Sequence, residues 1–360
     1  MSMPLTPFGD TATLLAVATQ AGVSVSTASR CLSGATNVAK NTQQRVLAAA
    51  EKVGYRHNAF ISEVMRATRR GLTQQYLGTL AFVTPSEDVA GLSATPTLHR
   101  HWEGARMGAE SVGFNVTEFR ISGDGMTGRR LGEILHARGI SGILLGAFGC
   151  EPSEVALPWE EFAVVPVGHF VHSPRLDCVI SDHTEAVITA TRVLAHRGYR
   201  RIGLAIEEYQ DHITNGRWTL GYAGISTAIL GLQPVPAYLP AQMTANGFLS
   251  WAEKHRVEAV LTLSTFRNEP NPMEGWLVQR NRTVPRDLGL VTLDHTQVHP
   301  DWAGIEQHSV EIGRAAVDLL LAKLRTQQRG VPGVPRTVLV HGQWKDGRTV
   351  RAPVESPDSN

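Results

Sequence analysis

The stretch from Thr13 to Asn58 constrains the fold more than any other part of the chain. Two short helical patterns meet at Gly22, and a third helical pattern follows them. In the first pattern, apolar residues recur at the i, i+3 and i+4 positions that give a helix one buried face. Glycine at the junction tolerates the positive φ angle that a tight turn needs. These features predict a helix-turn-helix unit, in which the second helix enters the major groove of DNA.

The second predicted helix spans Val25 to Leu32 and follows Ser24, a residue type favoured as an N-cap. Its outward face should carry Val25, Ser26 and Arg30, because Ala28 and its apolar neighbours face inward. An arginine here can donate two hydrogen bonds to guanine, and short polar side chains can bond to phosphate oxygens. We therefore predict DNA contacts for eight residues: Ser24, Val25, Ser26, Thr27, Ser29, Arg30, Asn37 and Thr42.

The third predicted helix runs from about Thr42 to Val53, with Val46, Leu47, Ala50 and Val53 on its core side. The stretch contains no acidic residue before Glu51. Residues 1–75 carry eight basic and three acidic side chains, whereas the rest of the chain carries 26 and 30. A basic first fifth on a slightly acidic body is typical of a DNA-binding headpiece.

This stretch resembles the headpiece of the lac repressor (LacI) family of bacterial transcription factors. The matching positions include the turn itself: Val17-Ala18, Ala21 to Ser24, Thr27, Ser29-Arg30, Val38, Thr42, Arg45-Val46, Gly54-Tyr55 and Asn58. The resemblance implies a headpiece over residues 1–58 and further DNA contacts at Tyr55 and Asn58. Residues 1–10 are rich in proline and methionine, and we expect them to be disordered.

The resemblance also implies a hinge helix within residues 59–75. In the family this segment folds when two subunits meet on the operator, and an apolar side chain then enters the minor groove. That side chain would be Val64, where the family usually has leucine, or the neighbouring Met65. The alternative is a basic linker that attracts phosphate without forming a helix.

From Tyr76 the pattern changes to alternating strands and helices, which predicts an α/β fold with doubly wound parallel sheets. Two successive series suggest two lobes with a cleft between them. The predicted strands are 77–83, 114–121, 140–148, 162–168, 178–181, 201–206, 236–239, 259–263 and 288–293. The predicted helices are 97–112, 131–138, 183–197, 216–230, 244–256 and 273–281.

The family resemblance continues more loosely through this body. Its matching segments are Gly198–Gly203, Val284–Val291 with Asp294, Gln307–Leu321 and Pro335–Trp344. It implies an effector-binding and dimerisation domain over 76–350 with the fold of periplasmic sugar-binding proteins, followed by a tail at 351–360. Lobe one would comprise about 76–181 plus 305–330, and lobe two 182–304 plus 331–350.

Ligands of open α/β sheets bind outside the carboxyl ends of the strands. Asp294 follows such a strand, and its carboxylate can accept hydrogen bonds from two sugar hydroxyls; the alternative is a strand-end cap. Where the family places an effector-binding arginine, this chain has Trp218, with Arg217 one position earlier. Either a nearby arginine substitutes, or Trp218 stacks on a sugar ring. The predicted effector contacts are Asp294, Arg217, Trp218, Ser86, Phe148 and Phe266.

Other classes of protein find little support in the sequence. The three cysteines suit a reducing compartment rather than a disulfide framework, and neither a signal peptide nor a transmembrane helix is expected, which favours a cytoplasmic protein. No metal site, cofactor site or catalytic motif is predicted. We predict a homodimeric repressor of a pseudo-palindromic DNA operator, controlled by a small molecule such as a sugar. Induction and corepression both remain open, and the rival is a ligand-binding protein or enzyme on the same fold without DNA function.

Overall fold

The computed structural model describes residues 14–32, 38–53, 77–85, 96–121, 126–146, 157–168, 174–229, 231–266 and 269–353. The chain divides into two compact units, Met1–Leu77 and Gly78–Asn360. Several predicted elements and contacts lie outside the described residues: the hinge helix over 59–75, Asn37, Tyr55, Asn58, Val64, Met65, Ser86 and Phe148.

The first unit contains the three predicted helices: α1 (Leu14–Ala21), α2 (Val25–Leu32) and α3 (Lys40–Lys52). Their shared core consists of small apolar side chains that let short helices pack closely: Val17, Ala18, Ala21, Ala28, Cys31, Val46, Ala49 and Ala50. The prediction for Leu47 was wrong, because this side chain is 50% exposed. On a helix of 3.6 residues per turn, a face through Val46, Ala49 and Ala50 leaves position 47 turned outward.

The second unit begins with a parallel sheet in the order β2-β1-β3-β4. Its strands are β1 (Gly78–Pro85), β2 (Phe114–Ile121), β3 (Gly142–Leu145) and β4 (Ala163–Pro166). Helices α4 (Pro96–Ser111) and α5 (Gly128–Ala137) connect them, and a short 3₁₀ helix, Trp159–Glu161, precedes β4. Strand β5 (Cys178–Ser181) continues this layer through a bridge between Val167 and Val179.

A second sheet has the order β13-β11-β10-β7-β6. Its strands are β6 (Ile202–Leu204), β7 (Ala259–Thr262), β10 (Gly289–Thr292), β11 (Ala303–Glu306) and β13 (Gln343–Lys345), of which only β13 is antiparallel to its neighbour. Its helices are α6 (His183–His196), α7 (Glu208–His212), α8 (Arg217–Ala228), α9 (Ala245–Lys254) and α10 (Met273–Gln279). A small hairpin pairs β8 (Thr265–Phe266) with β9 (Glu269–Pro270). Two parallel α/β lobes are thus confirmed.

In this lobe one sequence-based element prediction was wrong, and one helix was not predicted. Residues 236–239 form no strand beyond a single bridge from Tyr238 to Ala205. Pro236 and Pro240 flank this bridge, and proline cannot donate a ladder hydrogen bond. Residues 207–215, for which no element was predicted between strand 201–206 and helix 216–230, contain helix α7, whose capping box joins Glu207 to Gln210.

The last helix and strands complete both lobes. Helix α11 (Ser309–Arg325) packs along α4 in lobe one, and β12 (Thr337–Val340) pairs in parallel with β5. This pairing corrects the prediction that residues 331–350 belong wholly to lobe two. Asp177 explains it, since its carboxylate accepts hydrogen bonds from Lys323 Nζ at 2.6 Å and from the backbone N of Arg336 at 2.8 Å. The chain therefore crosses between the lobes after β5, after β11 and after β12.

Candidate functional site

The start of α2 is organised by Ser24. Its Oγ accepts a hydrogen bond from the backbone N of Thr27 at 3.2 Å, and its carbonyl accepts one from Ala28 N at 2.9 Å. The Ser24 hydroxyl also lies 2.8 Å from the Thr27 hydroxyl and 2.9 Å from that of Ser26. Ser24 therefore caps the helix as predicted.

The outward face of α2 has the predicted composition. Val25 is 41% exposed, Ser26 and Arg30 are exposed, and Thr27 and Ser29 are half-buried at its flanks. The Arg30 guanidinium lies along the helix, where Nε donates to the carbonyl of Ser26 at 3.4 Å. Thr42, in the first turn of α3, is half-buried. An exposed face of hydroxyl groups with one arginine suits contacts with both phosphates and base edges.

Arg45 has a role that its place in the sequence motif did not reveal. From α3 its Nη2 donates to the carbonyl oxygen of Ala21 at 2.6 Å, and it lies 3.5 Å from that of Gly22. Gly22 has a φ of 62° at this turn. The guanidinium therefore satisfies carbonyls at the end of α1 and links the third helix to the turn between the first two.

In the second unit, a cavity of about 290 Å³ lies between the two lobes. Lobe one contributes the first turn of α4, with Thr97 and Leu98, together with His101 and Ser181. Lobe two contributes the carboxyl ends of β7 and β10, the β8–β9 hairpin and helix α7. This is the strand-end position where the sequence predicted a ligand.

Asp294 lies on the cavity wall just after β10. Its carboxylate accepts hydrogen bonds from Ser264 N at 2.5 Å, from Ser264 Oγ at 3.0 Å and from Thr292 Oγ1 at 2.8 Å. Burial nevertheless raises the pKa of this carboxyl from 3.8 to about 6, because desolvation outweighs the three donors. Asp294 is thus an oriented, half-buried acceptor on the cavity wall, and it also joins the ends of β7 and β10.

Trp218 lines the cavity and is only 3% exposed. Its ring stacks on His183 with a centroid distance of 4.1 Å. Next to this pair, Gln307 Nε2 donates to the carbonyl of Leu293 at 2.8 Å, and Gln307 Oε1 accepts from Ser181 Oγ at 3.1 Å. Two of the three chain crossings between the lobes therefore supply cavity residues: Ser181 and His183 at the crossing after β5, and Gln307 at the crossing after β11.

The other predicted effector contacts in the described part of the chain lie elsewhere. The Phe266 ring is buried in the hydrophobic core of lobe two rather than on the cavity wall. Arg217 is not among the cavity-lining residues, although it precedes Trp218 directly, and its Nε is buried without a hydrogen-bond partner. Of the two alternatives at this position, the geometry thus favours Trp218.

His101, His183, Gln210 and Ser264 line the cavity but were absent from the predicted contacts. Ser264 could have been selected, because it directly follows a predicted strand end. His101 and Gln210 lie on helices, and no local pattern marks them. Within the described ranges, no group of three or more potential metal ligands occurs, and no helix is long and apolar enough to cross a membrane.

Comparisons with known proteins agree with this architecture. The family "Bacterial regulatory proteins, lacI family" matches residues 13–58. "Periplasmic binding proteins and sugar binding domain of LacI family" matches residues 79–242, and a periplasmic binding protein-like domain matches 191–350. A transcriptional regulator encoded in the aml 5′ region of Streptomyces limosus is 30% identical over 353 residues, covering 92% of this chain and 95% of the relative.

Solved structures show the same fold. A complex of the transcriptional regulator CelR with cellobiose superposes with a TM-score of 0.59 at 21% identity, covering 94% of this chain and 99% of that one. The lac repressor dimer bound to operator and the anti-inducer ONPF superposes with a TM-score of 0.54 at 18% identity and the same coverage. With its helix-turn-helix headpiece and two-lobed body, the chain belongs to the LacI family of bacterial DNA-binding transcriptional regulators, which are not enzymes.

Proposed function

We propose that this regulator is a homodimeric repressor that binds a pseudo-palindromic operator and changes its operator affinity when a sugar occupies the cavity between its lobes. A two-fold protein binding two half-sites is the usual arrangement for helix-turn-helix repressors. The lac repressor of known structure binds its operator as a dimer, which supports the same assembly here. DNA binding would place the protein in the cytoplasm.

The observation that carries the effector proposal is the cavity wall around Asp294. A carboxylate accepts hydrogen bonds from neighbouring hydroxyls, and amide and hydroxyl side chains at Gln210, Ser264 and Thr97 add donors and acceptors. Trp218 provides an aromatic ring beside them. A volume of about 290 Å³ suits a small molecule, and the similar regulator CelR was solved with cellobiose.

Control of DNA binding follows from where the cavity lies. A ligand that contacts both lobes favours a closed arrangement, in which both cavity walls touch it, over an open one. It shifts the equilibrium between the two only by the difference in its affinity for them. The chain passes between the lobes three times, and two of these crossings line the cavity, so lobe closure changes the geometry of lobe one.

The DNA assignment is tested by a mobility-shift titration with the DNA upstream of the protein's own gene. Arg30→Ala should weaken binding about 5- to 150-fold and reduce discrimination at one base position, since a bidentate arginine–guanine contact contributes about 1–3 kcal/mol. Lys52→Ala is the matched control, because it removes one exposed positive charge from the end of α3. If Arg30→Ala binds as tightly and as selectively as the wild type, α2 is not the reading helix.

The effector assignment is tested by a thermal-shift screen of sugars followed by Asp294→Ala. The substitution should abolish the shift caused by a sugar that stabilises the wild type, while DNA binding without sugar persists. Asp318→Ala, at an exposed position on α11, is the charge-matched control and should keep the shift. Retention of the sugar-induced shift in Asp294→Ala would contradict the proposed role of this carboxylate.

A further inference from the structure

His101 is a cavity residue whose hydrogen-bonding groups are unmet within the protein. It lies on α4, lines the cavity and is 5% exposed. Neither Nδ1 nor Nε2 has a hydrogen-bond partner. Burial lowers the pKa of this imidazole to about 4, so the ring is neutral near pH 7. A buried polar group without hydrogen-bond partners destabilises a folded protein. Burial of the His101 imidazole therefore lowers the stability of the ligand-free protein, because no hydrogen bond compensates for it.

The position of His101 is determined by backbone packing. A Cβ atom on Gly313 of α11 would lie 2.0 Å from the His101 carbonyl oxygen, and one on Gly104 would lie 1.8 Å from the carbonyl oxygen of Val310. The two helices are therefore almost in backbone contact. The preceding residue, Arg100, also pairs with Glu306 at 3.3 Å. Helix α4 thus holds the imidazole at the cavity wall without help from its side-chain nitrogens.

The chemistry of a neutral imidazole limits what can satisfy it. One ring nitrogen donates a hydrogen bond and the other accepts one. Hydroxyl groups both donate and accept, whereas a carboxylate or phosphate oxygen only accepts and leaves the acceptor nitrogen unmet. No lysine or arginine occurs among the cavity-lining residues in the described ranges, and Asp294 lines the same cavity. An anionic ligand would therefore meet a carboxylate and no countercharge on these walls.

We propose that His101 is a specificity-determining residue of the effector cavity, hydrogen-bonding to hydroxyl groups of an uncharged sugar held against lobe two. This inference rests on the proposed function, because it assumes that the effector occupies this cavity. The inference adds a ligand contact from lobe one to the contacts from Asp294 and Trp218. It also specifies that the effector is uncharged. The ligand then satisfies the polar group that the fold leaves unpaired.

The experiment compares the full-length wild type with His101→Leu, His101→Gln and the control His99→Leu. His99 is exposed two residues earlier on the same helix. Without ligand, His101→Leu should raise the Tm by about 2–4 °C, since it removes unsatisfied buried groups, and His99→Leu should leave it unchanged. Binding is then measured by calorimetry with glucose and cellobiose, and with gluconate and glucose 6-phosphate as charged counterparts.

The uncharged sugar that binds the wild type should bind His101→Leu about tenfold more weakly or worse. His101→Gln should recover part of the affinity because its amide both donates and accepts, and His99→Leu should bind normally. An unchanged affinity in His101→Leu overturns the inference, as does a wild type that prefers the charged probes.

The ligand-free measurement separates this inference from the proposed function. A Tm of His101→Leu at or below that of the wild type would show that the imidazole supports the fold, and the inference would fail whatever the sugar results. A wild type that binds none of the four probes counts against a carbohydrate effector instead. In that case the rise in Tm still supports His101 as a group that the fold does not require.

Discussion

The headpiece and the effector cavity hold their polar side chains in opposite ways. Around Ser24 the hydrogen bonds join residues two to four positions apart, and the groups are exposed. In the cavity, Ser264 bonds to Asp294 over 30 residues and Ser181 to Gln307 over 126, and the groups are buried or half-buried. A site built from local bonds can be recognised in the sequence and should lose little when one bond is removed. A site built from distant bonds depends on the whole packed body.

The largest expected effect tests how far the cavity depends on backbone packing. Gly104→Ala places a Cβ 1.8 Å from the carbonyl oxygen of Val310, and a backbone atom cannot move aside easily. We expect the free energy of unfolding of the body to fall by about 3 kcal/mol, measured by urea denaturation. Gly224→Ala is the matched helical control, because nothing lies within 4 Å of its added Cβ, and it should stabilise by about 0.5–1 kcal/mol. Equal behaviour of the two variants would contradict close α4–α11 packing.

A slightly smaller effect tests desolvation at the cavity wall. The folded-state pKa of Asp294 is about 6 against an ordinary 3.8. A raised carboxyl pKa means that its contribution to stability is fully present below pH 3.8 and is lost as the pH rises through 6. Asp294→Asn cannot ionise, so its stability relative to the wild type should improve between pH 4 and pH 8 by about 3 kcal/mol at most.

The measurement is a urea titration of both proteins at several pH values without sugar, so that groups common to both cancel. Asp318→Asn, at an exposed carboxyl, should show no such trend. A stability difference between wild type and Asp294→Asn that stays constant from pH 4 to pH 8 would mean that the carboxyl is well solvated in the folded protein.

The smallest effect belongs to the headpiece. Ser24→Ala removes the side-chain cap of α2, and a lost N-cap costs about 1 kcal/mol. We expect a headpiece that still folds but unfolds at a lower urea concentration. The measurement is the headpiece unfolding transition by circular dichroism, or hydrogen exchange of the α2 amides. Ser24→Asp should restore most of the loss because aspartate also caps well. A loss above about 3 kcal/mol would mean that Ser24 makes more than the local bonds described.

Sequence reasoning succeeded where spacing carries the information. The three headpiece helices, the Ser24 cap, the outward face of α2 and most βα units follow from patterns of period 3.6 or from buried strands of four to eight residues. Asp294 could be singled out because it follows a predicted strand. Its setting could not, since the pKa of about 6 depends on what surrounds the carboxyl in three dimensions.

The incorrect sequence-based predictions share a cause. Leu47 was assigned inward, although the α3 face that meets α1 and α2 passes through Ala49 and Ala50 instead. Strand β12 was assigned to lobe two, although Asp177, some 160 residues earlier, holds its start beside β5. Phe266 was chosen for its aromatic ring, and the ring lies in the core. In each case the partner that decides the outcome lies far away in sequence.

By itself, the sequence determined the helix-turn-helix unit and the α/β class of the body, because local periodicity, capping and turn residues specify short-range structure. The resemblance of its headpiece motif indicated the family. Only the tertiary structure decided which side chains line the cavity, that Arg45 secures the turn, and that His101 stands at the wall with unmet hydrogen bonds. The physical reason is that burial and desolvation are properties of a packed neighbourhood, and residues separated by a hundred or more positions create that neighbourhood together.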